Sequence, residues 1–205
     1  SYSVTGVQTC ALPILHSLVG YLPQDTSMFH WWDPPRMLAR GKVAMTLGGS
    51  YEWPTIFEES DWDDETEMVQ HLGFVPIPRP TLNDKAVTSL GGTTWAIPRQ
   101  AEPNPLLMEI LRLVMSPEIV LPFCERNLQI SSLRSVNARL LKGEHSWMRT
   151  VIPLLVHSRP RPMLPEYVQV SRFLQQMFEQ VVWQGGAAQE AVTQTAHYLA
   201  LLLGE

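Results

Sequence analysis

GKVAMTLGGSYEW, Gly41 to Trp53, carries three local signals in succession. Gly41 closes a helix, the apolar run Val43 to Leu47 reads as a buried strand, and Gly48 and Gly49 break that strand before Ser50 opens a second helix. Tyr51, Glu52 and Trp53 fall in the first turn of that helix. Such a strand-to-helix corner lies at the carboxyl edge of a sheet. It leaves backbone N–H groups free and turns the Tyr51 and Trp53 rings toward one crevice, an arrangement suited to a polyhydroxylated ligand.

The approach to this corner is well specified. Asp33 is a good N-cap, Pro34 and Pro35 fit a first helical turn, and Gly41 is the stop, so Pro34 to Arg40 is expected as a short helix. Before it, Leu15 to Tyr21 reads as the tail of a helix ending at Gly20, and Pro23 to Trp32 as a loop. Phe29, His30, Trp31 and Trp32 close that loop. Flat aromatic faces match the C–H faces of a sugar ring, so Trp32 is a candidate wall of the crevice, with burial in the core as its alternative. His30, isolated in sequence, reads as a surface or loop histidine.

Beyond the corner, Pro54 to Ser60 continues the helix and Asp61 to Glu67 is acidic. Asp63, Glu67 and His71 are spaced by four and share a helical face, but three groups along one straight helix cannot close around a single ion; a solvated acidic face is the simpler reading and no metal site is assigned. Gly73 to Pro78 alternates as a strand, and Asn83-Asp84 marks a turn. Ala86 to Ile97 reads as two extended pieces joined at Gly91 and Gly92, where the missing side chains permit close approach of a ligand and absorb dihedral change. Thr93 and Thr94 then offer hydroxyls, and Trp95 a ring or a core residue.

The remainder is mostly helical. Asn104 with Pro105, then Ser116 with Pro117, open two packing helices, the first with Leu107, Ile110, Leu111 and Val114 on one face. Pro122 is expected to kink or shorten the second, with Asn127 as its stop. Helices are also expected over Val136 to Lys142 and near Trp147 to Val156. Arg159 to Pro165, RPRPMLP, is an extended loop whose Arg161 or Arg159 presents a fork of donors to vicinal hydroxyls or a carboxylate. Glu166 to Trp183, with an apolar face of Val170, Leu174, Met177, Phe178 and Val181, and Ala187 to Leu203 finish the chain around Gly185-Gly186.

Three of these segments resemble one family. GKVAMTLGGSYEW, LGGTTWAIPRQ (Leu90 to Gln100) and RPRPMLPEY (Arg159 to Tyr167) are similar, in order and spacing, to blocks of the extracellular solute-binding proteins of ABC transporters, in the carbohydrate-binding group that includes maltose-binding protein. The resemblance covers about Leu15 to Glu205 and corresponds to the carboxyl-terminal half or so of a usual member. It implies an α/β, periplasmic-binding-protein-like (type II) fold of two lobes, helix-rich here and lacking most of the amino-terminal lobe. The implied division gives residues 15–95 and 143–205 to the carboxyl-terminal lobe and 96–142 to helices of the other.

By this resemblance the ligand-binding residues are Trp32, Gly49, Ser50, Tyr51, Trp53, Gly91, Gly92, Thr93, Thr94 and Arg161. Tyr51 and Trp53 stack on the sugar, while Ser50, Thr93, Thr94 and Arg161 hydrogen-bond to it. The implied partners are a carbohydrate and the permease subunits of an ABC transporter. The protein is expected to be a monomer in the periplasm or outside the cell, at most peripheral to the membrane, with no cofactor and no catalytic residue. Glycerol phosphate or another small polar solute is an alternative ligand. A phosphate calls for more cationic donors than this reading supplies, which favours a neutral sugar.

Val4 to Ile14, VTGVQTCALPI, resembles the translation of a sequencing adapter, so residues 1–14 are expected to lie outside the native fold. Composition fits a globular chain: 205 residues, 45% hydrophobic and 17% charged, with net charge −5 and no basic cluster, which argues against nucleic acid and anionic membrane surfaces. Apolar runs are too short to span a membrane. With Cys10 in the adapter-like segment, Cys124 is left as one thiol, expected as a small buried hydrophobe. No nucleophile elbow, phosphate-binding glycine loop or zinc helix occurs. Rival readings are a carbohydrate-active enzyme using Glu52 with one of Asp61 to Glu67, and a sensory domain of the same fold.

Overall fold

The computed structural model describes residues 7–77, 87–101 and 104–204. The described residues form ten α-helices: α1 Val7–Ser17, α2 Asp33–Ala39, α3 Trp53–Glu58, α4 Glu65–His71, α5 Pro105–Val114, α6 Pro117–Arg126, α7 Arg134–Leu140, α8 Met148–Val151, α9 Tyr167–Phe178 and α10 Ala188–Leu203. Two strands, β1 Thr88–Leu90 and β2 Ser158–Pro160, pair in parallel, with Ser89 opposite Arg159. The chain divides into two compact units. One comprises Ser1–Phe29 with Pro162–Glu205, the other His30–Arg161.

In the His30–Arg161 unit, the ends of α2 and α6 follow from local chemistry. Gly41, at φ +63°, lets the Lys42 N–H reach the Met37 carbonyl at 2.8 Å and its own N–H reach Leu38 at 3.0 Å, so two otherwise unpaired helix-end carbonyls are satisfied. The same reversal after α6 uses Leu128 at φ +51°, with Gln129 N–H donating to Cys124 at 2.9 Å. Asp33 is not the N-cap of α2 but its first residue, its carboxylate accepting the His30 N–H at 2.7 Å. Asn104 does cap α5, accepting from Leu106 N–H at 2.9 Å. Ser116 stands at the N-cap of α6, yet its buried hydroxyl bonds nothing. Pro122 lies inside α6 without ending it.

A core assembles on these helices from Trp53, Ile56, Met68, Leu121, Cys124, Val136, Leu140, Trp147 and Met148 among others. It draws on residues from α3, α4, α6, α7 and the start of α8. The units divide at Phe29/His30 and Arg161/Pro162. Asn137 on α7 fixes the preceding turn, accepting the Ser131 N–H and donating to the Ser131 carbonyl, each at 2.8 Å. Arg36 and Arg40 of α2 both bind Glu59 at the end of α3, at 2.9 and 2.5 Å. Cys124 is buried, as expected, and burial pushes its thiol pKa up.

Strand content is where expectation and structure part. Val43 to Leu47 forms no strand with the described residues, and Met45 is 86% and Leu47 77% exposed. An apolar run becomes a buried strand only where neighbours take up its N–H and C=O groups, and the pairing here goes to residues 88–90 and 158–160. Gly73 to Ile77 likewise forms none, with Phe74 alone packing against the core; Pro78, the Asn83-Asp84 turn and Ala86 lie outside the described residues. Of the expected pieces over 86–97, residues 88–90 are a strand and 91–97 an exposed coil.

In the other unit α1, α9 and α10 pack together, with Met177, Val181, Val182, Ala191 and Val192 buried. A five-residue π-helical turn, Glu179–Trp183, prolongs α9, and Gly185 at φ +70° reverses the chain before α10. Leu12, within the adapter-like segment, is 4% exposed in this core, and His16 Nδ1 meets the Val182 carbonyl at 2.8 Å. The segment expected to lie outside the fold thus supplies a core residue from its described part. No helix among the described residues is long and apolar enough to cross a membrane.

Candidate functional site

The corner forms at Ser50, as a 3-10 turn over Ser50–Glu52 leading into α3. Its glycines serve the chain's own side chains. A Cβ on Gly48 would fall 1.7 Å from Glu52 Oε2, and one on Gly49 would fall 2.3 Å from the Tyr51 ring. The Glu52 carboxylate therefore folds back over Gly48 and fills the space above the loop. Glu52 is 7% exposed, and its loss of solvation raises the carboxyl pKa, opposed by hydrogen bonding from Tyr51 and the Gly49 backbone.

Tyr51 and Trp53 point to different environments. Tyr51 is 56% exposed; partial burial and the neighbouring Glu52 carboxylate raise its hydroxyl pKa, while the Arg161 guanidinium draws it down. Trp53 is 2% exposed, stacked on Trp147 with centroids 5.2 Å apart and against Phe74 at 5.0 Å. The expectation that both rings face one crevice is corrected here for Trp53. Its large apolar surface is covered by two aromatic neighbours, and among the described residues its indole N–H has no acceptor.

Arg161, from the Pro-rich segment, is therefore within electrostatic reach of Tyr51. It borders an open depression of about 300 Å³ lined by Ile77, Val87, Thr88, Ser89, Arg159, Pro160 and Arg161. The β1–β2 pair positions the polar members. Ser89 lies beside Arg159 in register, and because side chains alternate along a strand, Thr88 and Pro160 face the other side of the pair. Among the described residues no carboxylate lines the depression. Among the described residues neither arginine joins an ion pair, whereas Arg36, Arg40 and Arg112 each do.

The other expected residues lie apart from this lining. Gly91, Gly92, Thr93 and Thr94 are exposed coil just after β1, and a Cβ on Gly91 or Gly92 would meet nothing within 4 Å. Packing therefore does not require glycine there. Trp32 is half-buried in an aromatic group, its ring 4.6 Å from His30 and 5.5 Å from Trp31. Gly49 and Ser50 stay with Tyr51 at the corner.

The acidic stretch has structural duties. Asp64 caps α4 by accepting the Glu67 N–H at 2.8 Å, Glu67 accepts the Asp63 N–H at 3.0 Å, and Glu65 pairs with His145. His71 stacks on Trp62 at 5.9 Å. Among the described residues no group of three His, Cys, Asp or Glu side chains is placed to hold a metal. Sequence reasoning missed Thr88 and Ser89, and the β2 strand that aligns Arg159 with Ser89. The available signal was the alternation of arginine and proline over 159–162, which is extended backbone of period two.

No protein-family model matches the chain, and no curated protein matches it either.

Proposed function

We propose that the chain captures a carbohydrate outside the cell as the solute-binding component of an ABC transporter and passes it to a membrane permease. The reading rests on the three-motif resemblance. One structural observation favours it: Arg161 of the third motif borders the depression beside β1 and β2. Tyr51 supplies an exposed ring for a sugar C–H face, and Ser89 and Arg161 supply donors for its hydroxyls. In a two-lobed type II fold the ligand bridges both lobes and stabilises their closed state by its differential contacts.

Saturation-transfer NMR with neutral oligosaccharides tests this. Transfer from the protein to sugar C–H protons is expected, and Tyr51→Ala should abolish most of it. Transfer unchanged by that substitution, or absent at all sugar concentrations, contradicts the reading. The enzyme alternative has a buried, pKa-raised carboxyl in Glu52. It needs a second carboxylate across the sugar, and among the described residues the lining of the depression supplies none.

A further inference from the structure

We propose that α5 is a contact between two copies of this chain: its outward face packs antiparallel, across a two-fold axis, on the same face of a second copy. Seven of the ten residues of α5 are Leu, Ile, Met or Val, yet none of the ten is buried. A helix that is apolar over most of its circumference is stable when most of that circumference is covered. Leu107, Leu111 and Val114 share an inner stripe that is half-buried, whereas Leu106, Ile110 and Leu113, spaced by four and three, form an outer stripe and are 65%, 47% and 62% exposed. The contact does not depend on the sugar-binding reading.

Charge selects the second copy as the occupant. On one flank of the outer stripe α5 carries Glu109 and Arg112, three residues apart, their side chains 70% and 79% exposed and 3.5 Å from each other. A two-fold axis crossing α5 near Ile110 reverses the partner helix, so that equal flanks meet and Glu109 of each copy comes beside Arg112 of the other. Two ion pairs then border the apolar contact, and Ile110 lies close to the axis. A parallel arrangement would instead set this flank against the opposite flank of the partner helix, where Leu107 and Val114 lie and no countercharge stands. The face is therefore complementary to itself in one orientation. Three outer apolar residues per copy and two exposed ion pairs make a small contact, so the dimer is weak and forms at high protein concentration.

Sedimentation velocity of the full chain from micromolar to millimolar concentration tests this, with a monomer–dimer equilibrium expected. Ile110→Glu places a charge beside the axis and should abolish the dimer. Glu109→Arg sets arginine against arginine twice and should weaken it about tenfold. Adding Arg112→Glu to that variant restores both pairs with their signs exchanged and should return the wild-type curve. All three positions are exposed, so circular dichroism should show each variant folded like the wild type. A chain that stays monomeric at every concentration overturns the proposal, as does a dimer that Ile110→Glu leaves intact or that Glu109→Arg weakens without rescue by the second change. Growth into larger species without a distinct dimer overturns it too, because a two-fold face closes on itself.

Discussion

Trp53 and Trp147 stack with ring centroids 5.2 Å apart and planes inclined by 26°, inside the core that α3, α6, α7 and α8 build together. The pair joins the turn after Gly49 to the start of α8. Trp53→Ala or Trp147→Ala should therefore cost about 3–5 kcal/mol in urea unfolding. Among the described residues neither buried indole N–H has an acceptor, so Trp53→Phe should cost far less than Trp53→Ala. An alanine variant within ~0.5 kcal/mol of wild type, the range of exposed positions, contradicts this packing.

Gly48 and Glu52 should be coupled. A Cβ at Gly48 overlaps Glu52 Oε2, so Gly48→Ala must displace the carboxylate and should destabilise by about 1–3 kcal/mol. In a Glu52→Ala background the obstacle is gone and the cost should fall. A double-mutant cycle by chemical unfolding reads the difference. Additive effects would mean that the glycine answers to something other than Glu52.

Glu52 and Glu59 make opposite contributions to the pH dependence of stability. Burial raises the folded-state pKa of Glu52, so its relative stabilising effect is full below the unfolded value of about 4.3 and is lost as pH rises toward the folded value. Glu52→Gln should accordingly raise the neutral-pH unfolding midpoint. Arg40 and Arg36 lower the pKa of Glu59, whose contribution is present above the unfolded value and lost as pH falls through the folded one. Glu59→Gln should lower the midpoint at neutral pH and match wild type in strong acid. Urea midpoints across pH 3 to 8, a range of roughly five units around these values, would show the two trends or refute them.

Asn137→Ala removes both buried hydrogen bonds to the Ser131 backbone and should cost roughly 2–3 kcal/mol, with faster amide exchange at Ser131. Unchanged exchange at Ser131 would show that the turn is held otherwise.

Leu12→Ala tests the adapter-like segment. Leu12 is 4% exposed against Met177, Val181, Val182, Ala191 and Val192, so truncation should destabilise its unit by about 2–3 kcal/mol. No change in stability would mean that the segment adds nothing to the fold.

The helices were legible in the sequence because their ends are encoded locally. Gly41, Asn104, Pro105, Pro117 and Gly185 act through their own backbone geometry or one nearby hydrogen bond, and the structure places them at helix ends. The strands were not, since Val43 to Leu47 carries the right pattern but pairing is decided by distant partners, and Ser158–Pro160 pairs despite its proline. The site was half legible. Tyr51 and Arg161 were readable as ligand-type residues, whereas the burial of Trp53 depends on Trp147 and Phe74, which no local pattern joins to it. The alignment of Ser89 with Arg159 exists only through strand register.

The central claim is that Tyr51, Ser89 and Arg161 form one carbohydrate site. Its most direct test is a backbone amide NMR titration of the chain with a sugar. The account predicts that the three amides shift together along one binding curve and that Arg161→Gln weakens all three alike. Three amides that stay still while others move, or that follow unrelated curves, would contradict it.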